Sequence, residues 1–189
     1  MSKERRGKHI KITTDLDKHP YMKTLAFHKL VQSVDVFTQN FFKENSFLDL
    51  WNKANNSGNF SDVNFIVSLA YGTISTEVAE NIKPISRRFY DLLCNANNTA
   101  QIKYNTDSYA VLYKVALNTG DFSKVNKITN FAYNVVGNEE EYFSDYNKWL
   151  KNKNKHNLDF HNWRVLHNKN YKKEYAGYVV FLKTKPNLD

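Results

Sequence analysis

Apolar residues along this chain recur mainly at helical spacing. From residue 21, Leu25, Phe27, His28, Leu30, Val31, Val34, Phe37 and Phe41 follow at three- and four-residue steps, which predicts an amphipathic helix. The run SFLDLWNKA predicts a second, with Phe47, Leu50, Trp51 and Ala54 on one face. Residues 54–71 (ANNSGNFSDVNFIVSLAY) then return as residues 116–133 (ALNTGDFSKVNKITNFAY), identical at ten of eighteen positions without a gap. In each copy a glycine, Gly58 or Gly120, suits the left-handed residue that stops a helix. Asn59 or Asp121 follows as a cap for the next helix, whose apolar stripe is Phe60, Val63, Ile66, Ala70 or Phe122, Val125, Ile128, Ala132. The unit is therefore an αα-hairpin used twice.

Between the copies, Ser75 or Thr76 can cap a helix that Pro84 interrupts. A new helix follows with Ile85, Phe89, Leu92 and Leu93 as its stripe, leaving Arg87, Arg88 and Asp91 to reach solvent or a ligand. NANNTAQIKYNTDS is expected as a loop, and NEEEYFSDYNKWLKN as a last amphipathic helix carrying Tyr142, Phe143, Tyr146, Trp149 and Leu150. KNKNKHN looks like a polar linker, and Tyr178 to Leu182 carries the one clear strand signal. The expected fold is mostly α: a helical bundle of αα-hairpins with an internal duplication and a small C-terminal strand or hairpin. Its divisions are a basic arm at 1–20, a helical domain at 21–150 with related lobes at 21–80 and 81–150, and a basic, aromatic extension at 151–189.

Charge placement sharpens this picture. The formal net charge is +8, yet residues 24–147 carry a net −3, against +4 for residues 1–23 and +7 for residues 148–189. Such basic ends suit a polyanion, most often nucleic acid. Arginine is scarce, and Arg5, Arg6, Arg87 and Arg88 come as adjacent pairs, with Arg164 alone in the tail. Arg87 and Arg88 begin a helix after a proline, where backbone N–H and guanidinium groups can hold a phosphate together, with Lys83 one turn away. Lys124 and Lys127 stand where the first copy has Asp62 and Phe65, as expected if only the second copy faces an anion. The tail interleaves lysines with Trp149, Trp163, Tyr171 and Tyr175, a composition for phosphate contact and base stacking.

Other chemistry finds little footing. No glycine-rich phosphate loop, Gly-x-Ser-x-Gly elbow or helical zinc spacing occurs, so no catalytic residue, metal or cofactor is expected. The single cysteine, Cys94, sits in the apolar run FYDLLC as a small hydrophobe and suits a reducing compartment. No apolar run approaches the ~18 residues of a membrane span, and no secretory leader is evident, so a cytoplasmic protein without membrane contact is expected.

The pattern ISRRFYDLL at 85–93, GDFSKVNKITNFAY at 120–133 and an acidic–aromatic helix ending near Trp149 resembles the small subunit of type I CRISPR surveillance complexes, the CasB family. The resemblance covers residues 78–150. It implies an all-helical, non-catalytic subunit of two lobes that contacts guide RNA and displaced DNA within a ribonucleoprotein, with Arg87 and Arg88 as the residues carried over. Two other readings remain open. One is a winged-helix regulator with SRRFYDLL as recognition helix of residues 74–93 and QIKYNTDSYAVLY as wing. The other is a helical protein-interaction module, such as a phage or plasmid accessory protein.

Overall fold

A computed structural model describes residues 20–72 and 82–184; Arg5, Arg6 and the predicted cap at Ser75 or Thr76 lie outside them. The described residues form a helical bundle: α1 (Pro20–Phe42), α2 (Phe47–Ser57), α3 (Ser61–Ala70), α4 (Ile82–Tyr104), α5 (Tyr109–Thr119), α6 (Ser123–Val136), α7 (Glu139–Lys151), a 3-10 turn (Lys153–Lys155), α8 (Phe160–His167) and α9 (Lys169–Lys183). None of these helices is long and apolar enough to cross a membrane.

The duplication is larger than the quoted repeat. Helices α1–α3 and α4–α6 are two copies of one three-helix unit at the same 62-residue offset. Both first helices end in a residue with positive φ, Lys43 at 55° and Asn105 at 50°. Gln39 then donates to the Asn45 carbonyl and Gln101 to the Asp107 carbonyl, each at 2.9 Å. Ser46 and Ser108 cap the second helices, and Asp35 and Asn97 accept from the Phe47 and Tyr109 amides. At the corners Gly58 (φ 78°) and Gly120 (φ 77°) take the left-handed conformation. Asn59 and Asp121 then accept from the Ser61 and Ser123 amides at 3.0 Å. Here the expected cap chemistry is present, although Phe60 and Phe122 occupy the N-cap position itself.

The copies are related by an approximate twofold exchange, because their contacts are reciprocal. Phe27 meets Tyr109 and its equivalent Phe89 meets Phe47, both with ring centroids 5.1 Å apart. His28 stacks on Tyr113 and its equivalent Tyr90 stacks on Trp51, at 3.5 and 4.2 Å. Phe27 and Phe89 face each other at 6.3 Å, where the exchange axis passes. All four of Phe27, Phe47, Phe89 and Tyr109 are wholly buried in one continuous core. The predicted lobes thus share a core.

Several expectations are corrected. NANNTAQIKYNTDS continues α4 to Tyr104, because Ala96, Thr99, Ala100 and Lys103 prolong the buried stripe of Phe89, Leu92 and Leu93. With α4 and α5 helical, the proposed wing strand does not exist. Pro84 lies in the first turn of α4, where a missing N–H breaks no intrahelical bond. Tyr178 to Leu182 is helical within α9 and no strand occurs among the described residues. The spacing of three between Tyr178 and Phe181 governs, since Tyr178 bonds Thr99 and Phe181 stacks on Phe131.

Helix α9 covers the second copy asymmetrically. Lys103 donates to the Phe181 carbonyl and to Thr184, and Lys127 lies over the Phe181 ring. The equivalent first-copy positions are Phe37, Phe41, Phe65 and Leu69, of which Phe41 is 56% and Phe65 45% exposed. Lysines at 103 and 127 therefore serve packing against α9.

Two outcomes follow. Neither corner glycine has a neighbour where a Cβ would stand, so Gly58→Ala and Gly120→Ala should each cost about 1–2 kcal/mol from backbone strain alone, and equally, in urea unfolding. Burial holds the His28 imidazole below its usual 6.5. The unfolded chain therefore binds its proton more readily, and stability is full above pH 6.5 and declines as pH falls through the folded value. His28→Tyr, which installs the residue of the equivalent position 90, should flatten this decline in thermal melts at pH 5 to 7.

A candidate nucleic-acid interface

The first turns of α4 project Lys83, Ser86 and Arg87 to one side, since residues three and four apart share a helix face. The twofold exchange brings the α2–α3 corner against this face, through the Trp51–Tyr90 stack. Helix α7, laid across α4, supplies a third wall. Together they enclose a cleft of about 700 Å3 lined by Trp51, Asn55, the corner Gly58–Ser61, Asn64, Lys83, Ser86, Arg87, Tyr146, Trp149, Leu150 and Lys153. The described lining thus contains three cations and no carboxylate.

Each wall is fixed by local chemistry. Asn138 caps α7 by accepting from the Glu141 amide, and three glutamates occupy its first turn, favourable against the helix dipole. Tyr142 and Trp149 anchor α7: the Tyr142 hydroxyl donates to Asp91 at 2.6 Å and the Trp149 indole to the Leu158 carbonyl at 3.0 Å. Lys153, in the 3-10 turn, lies over the Trp149 ring at 5.1 Å with its head exposed. The Arg87 guanidinium is 3.6 Å from Asp91 and 5.8 Å from the Phe160 ring centre. Burial works against its charge, but Asp91 and the phenols of Tyr142, Tyr146 and Tyr90 outweigh it and raise its pKa. Burial likewise pushes the Asp91 carboxyl up, against the opposing pull of Arg87 and the Tyr142 hydroxyl. The Ser86 hydroxyl and Arg87 Nε are buried without a hydrogen-bond partner.

The sequence-predicted site residues divide sharply. Lys83 and Arg87 meet in the cleft. Arg88 does not reach solvent: it is 6% exposed, donates to the Gly137 carbonyl at 2.9 Å and lies over the Tyr133 ring. Arg164, 2% exposed, is likewise committed inside, donating to Asp145 at 3.0 Å and to the Val136 carbonyl at 2.8 Å beneath the Tyr171 ring. Both arginines secure the α6–α7 corner at Gly137, whose φ of 90° and ψ of 170° only glycine adopts readily. These internal bonds take up the donors that the sequence assigns to nucleic-acid contact. Lys124 and Lys127 are exposed but sit beside Tyr104 and Phe181 at the far end of α4, roughly 30 Å along the helix from Lys83.

The aromatic tail is also corrected. Trp163 is buried, and Tyr171 donates or accepts with His161 at 2.7 Å while covering Arg164. Cys94 is half-buried with its thiol pushed up by burial, which disfavours the nucleophilic thiolate. Sequence reasoning missed Ser86, Trp51, Tyr146 and Lys153 as lining residues. Only the cation density of KNKNK pointed towards Lys153; the others depend on helices distant in sequence.

Comparisons with protein-family models, curated proteins and solved structures give no match.

Removing the buried arginine should reveal its structural role. Arg164→Met leaves the Asp145 carboxylate without its buried cation and the Val136 carbonyl without this donor, and is expected to cost about 3–5 kcal/mol in urea unfolding. Lys83→Gln, on an exposed side chain, should stay within about 0.5 kcal/mol of the parent.

Proposed function

We propose that the protein is a non-catalytic helical subunit that binds a single strand of RNA or DNA along the cleft between α4, α7 and the α2–α3 corner. The observation that carries this reading is the gathering of Lys83, Arg87 and Lys153 with aromatic walls in one recess whose described lining holds no carboxylate. Cations positioned along a groove neutralise phosphates, while Phe60, Tyr146 and the edge of Trp149 offer ring surface to bases. Asn55 and Asn64 add amide donors and acceptors. Lys124 and Lys127 would extend the positive surface at the other end of α4, and Arg5 and Arg6 would add salt-dependent affinity.

The resemblance to the CasB family gives this proposal its most specific form, a small subunit contacting guide RNA and displaced DNA in a cytoplasmic ribonucleoprotein. Arg87 is then the residue that bears the resemblance, because Arg88 is spent on Gly137. A second reading, a helical protein-interaction module, is favoured by the first-copy face around Phe41 and Phe65, which is exposed among the described residues, and the two are compatible in one subunit.

Reversing two exposed lysines tests the main reading without touching the buried network. Lys83→Glu with Lys153→Glu should weaken binding of single-stranded RNA by roughly ten-fold or more and lower the slope of log affinity against log salt by about 1.4. Fluorescence anisotropy over a salt series measures both, and an unchanged affinity rejects the cleft as the interface.

A further inference from the structure

We infer that the cleft is built around a terminal phosphate, with Ser86, Lys83 and Arg87 forming a subsite for a phosphomonoester at a strand end or on a free nucleotide. This rests on the nucleic-acid reading of the same cleft. Its starting point is Ser86, which is 1% exposed, lines the cleft, and has a hydroxyl without a hydrogen-bond partner. A buried hydroxyl left unbonded costs free energy, and a serine in the second turn of a helix has an easy partner in the carbonyl four residues back. Arg87, the next residue, lines the same cleft, with its Nε facing Asp91 at 3.6 Å. A buried hydroxyl without a partner, on a cleft wall that also carries a guanidinium, calls for an acceptor group.

The chemistry of that acceptor follows from charge and size. Lys83, Ser86 and Arg87 share one face of α4 near its N-terminal end, where the helix dipole favours an anion. Lys153 approaches from the opposite wall. Three cations, of which Arg87 alone has a carboxylate beside it among the described residues, suit a group of charge near −2 better than the single charge of an internal phosphodiester. A phosphomonoester carries about −1.5 to −2 at pH 7 and presents three strong acceptor oxygens. The volume of about 700 Å3 accommodates a whole nucleotide unit, so the sugar and base would lie against Tyr146 and the α2–α3 corner.

The test uses the full chain and fluorescence anisotropy with three single-stranded RNAs of about ten nucleotides. One carries a 5′-phosphate, one a 3′-phosphate, and one hydroxyls at both ends; adenosine 5′-monophosphate and adenosine serve as competitors. The inference expects one phosphorylated end to bind roughly ten-fold tighter than the hydroxyl-ended strand, with competition by the monophosphate and none by the nucleoside. Ser86→Ala, and separately the exposed Lys83→Gln, should bring that preference close to unity. Equal, tight binding of all three RNAs overturns the terminal-phosphate subsite while leaving the strand-binding cleft intact. Direct calorimetric binding of the monophosphate without binding of any RNA upholds the subsite and overturns the strand reading. No binding of RNA or monophosphate overturns both.

Discussion

The reciprocal crossing of aromatic rings between the two copies is the constraint from which the remaining architecture follows. A three-helix unit of this length has one broad apolar face that it cannot close by itself. Exchanging Phe27 for Phe89 across the axis lets each unit insert its first helix into the other, so Phe27 reaches Tyr109 and Phe89 reaches Phe47. Full burial of each such side chain contributes on the order of 1.5–3 kcal/mol, and each favourable ring pair adds about 0.5–1.5. The outer stacks, His28 on Tyr113 and Tyr90 on Trp51, then fix the second helix of one copy against the first helix of the other. It is this stack that carries Trp51 and the Gly58 corner to the start of α4. The cleft is therefore a consequence of the duplication, although neither copy contains it alone.

The three C-terminal helices break the twofold relationship, and they do so through polar chemistry buried against the second copy. Arg88 and Arg164 approach Gly137 and Val136 from two sides, and Asp145 completes the arrangement by accepting from both Arg164 and Asn168. Such bonds contribute little net stability when made, but each is costly to leave unmade in a dry interior. They therefore specify one docking geometry for α7 and α8. The register matters to the cleft, because α7 brings Tyr146 and Trp149 opposite Lys83 only in that geometry. Helix α9 extends the same logic, with Lys103 satisfying carbonyls at its C-terminal end.

Much of the fold was legible in the chain itself. Helical periodicity identified the helices of both copies, and the GNF/GDF corners located the hairpins, because glycine, a short polar cap residue and a spaced stripe are local requirements. Less was legible where a helix is buried on several sides. Helix α4 packs against its own copy, the other copy, α7 and α9, so its buried surface is wider than one stripe and takes in Ser86, Arg88 and Lys103. A single-stripe reading necessarily sent Arg88 to solvent. The run YVVFL shows the converse error: β-branched residues and aromatics favour a strand, yet a helix results because Tyr178 and Phe181 find partners at a helical spacing on α4 and α6. The candidate site had two of its three cations marked by sequence, but its walls belong to three segments whose proximity only the twofold exchange produces.

A net charge of +8 overstates what is available to a polyanion, and the structure separates two populations of cation. Arg88, Arg164 and Lys103 have given their donors to carbonyls and a carboxylate inside the protein. Their charges still add to the long-range field, but they release no counterions from a phosphate backbone, because they cannot approach one. Lys83, Lys153 and the lysines of α6 keep their heads in solvent and can do so. Arginine, the residue that first suggested phosphate recognition, is thus mostly structural among the described residues, as expected of a planar fork suited to burial with several acceptors. Arg87 belongs to both populations: its Nε faces Asp91 at 3.6 Å, and the side chain also lines the cleft. An anion arriving there would meet a guanidinium already oriented, so little side-chain entropy would remain to be lost on binding, and under the proposed function the Asp91–Tyr142 pair would position Arg87 as well as anchor α7.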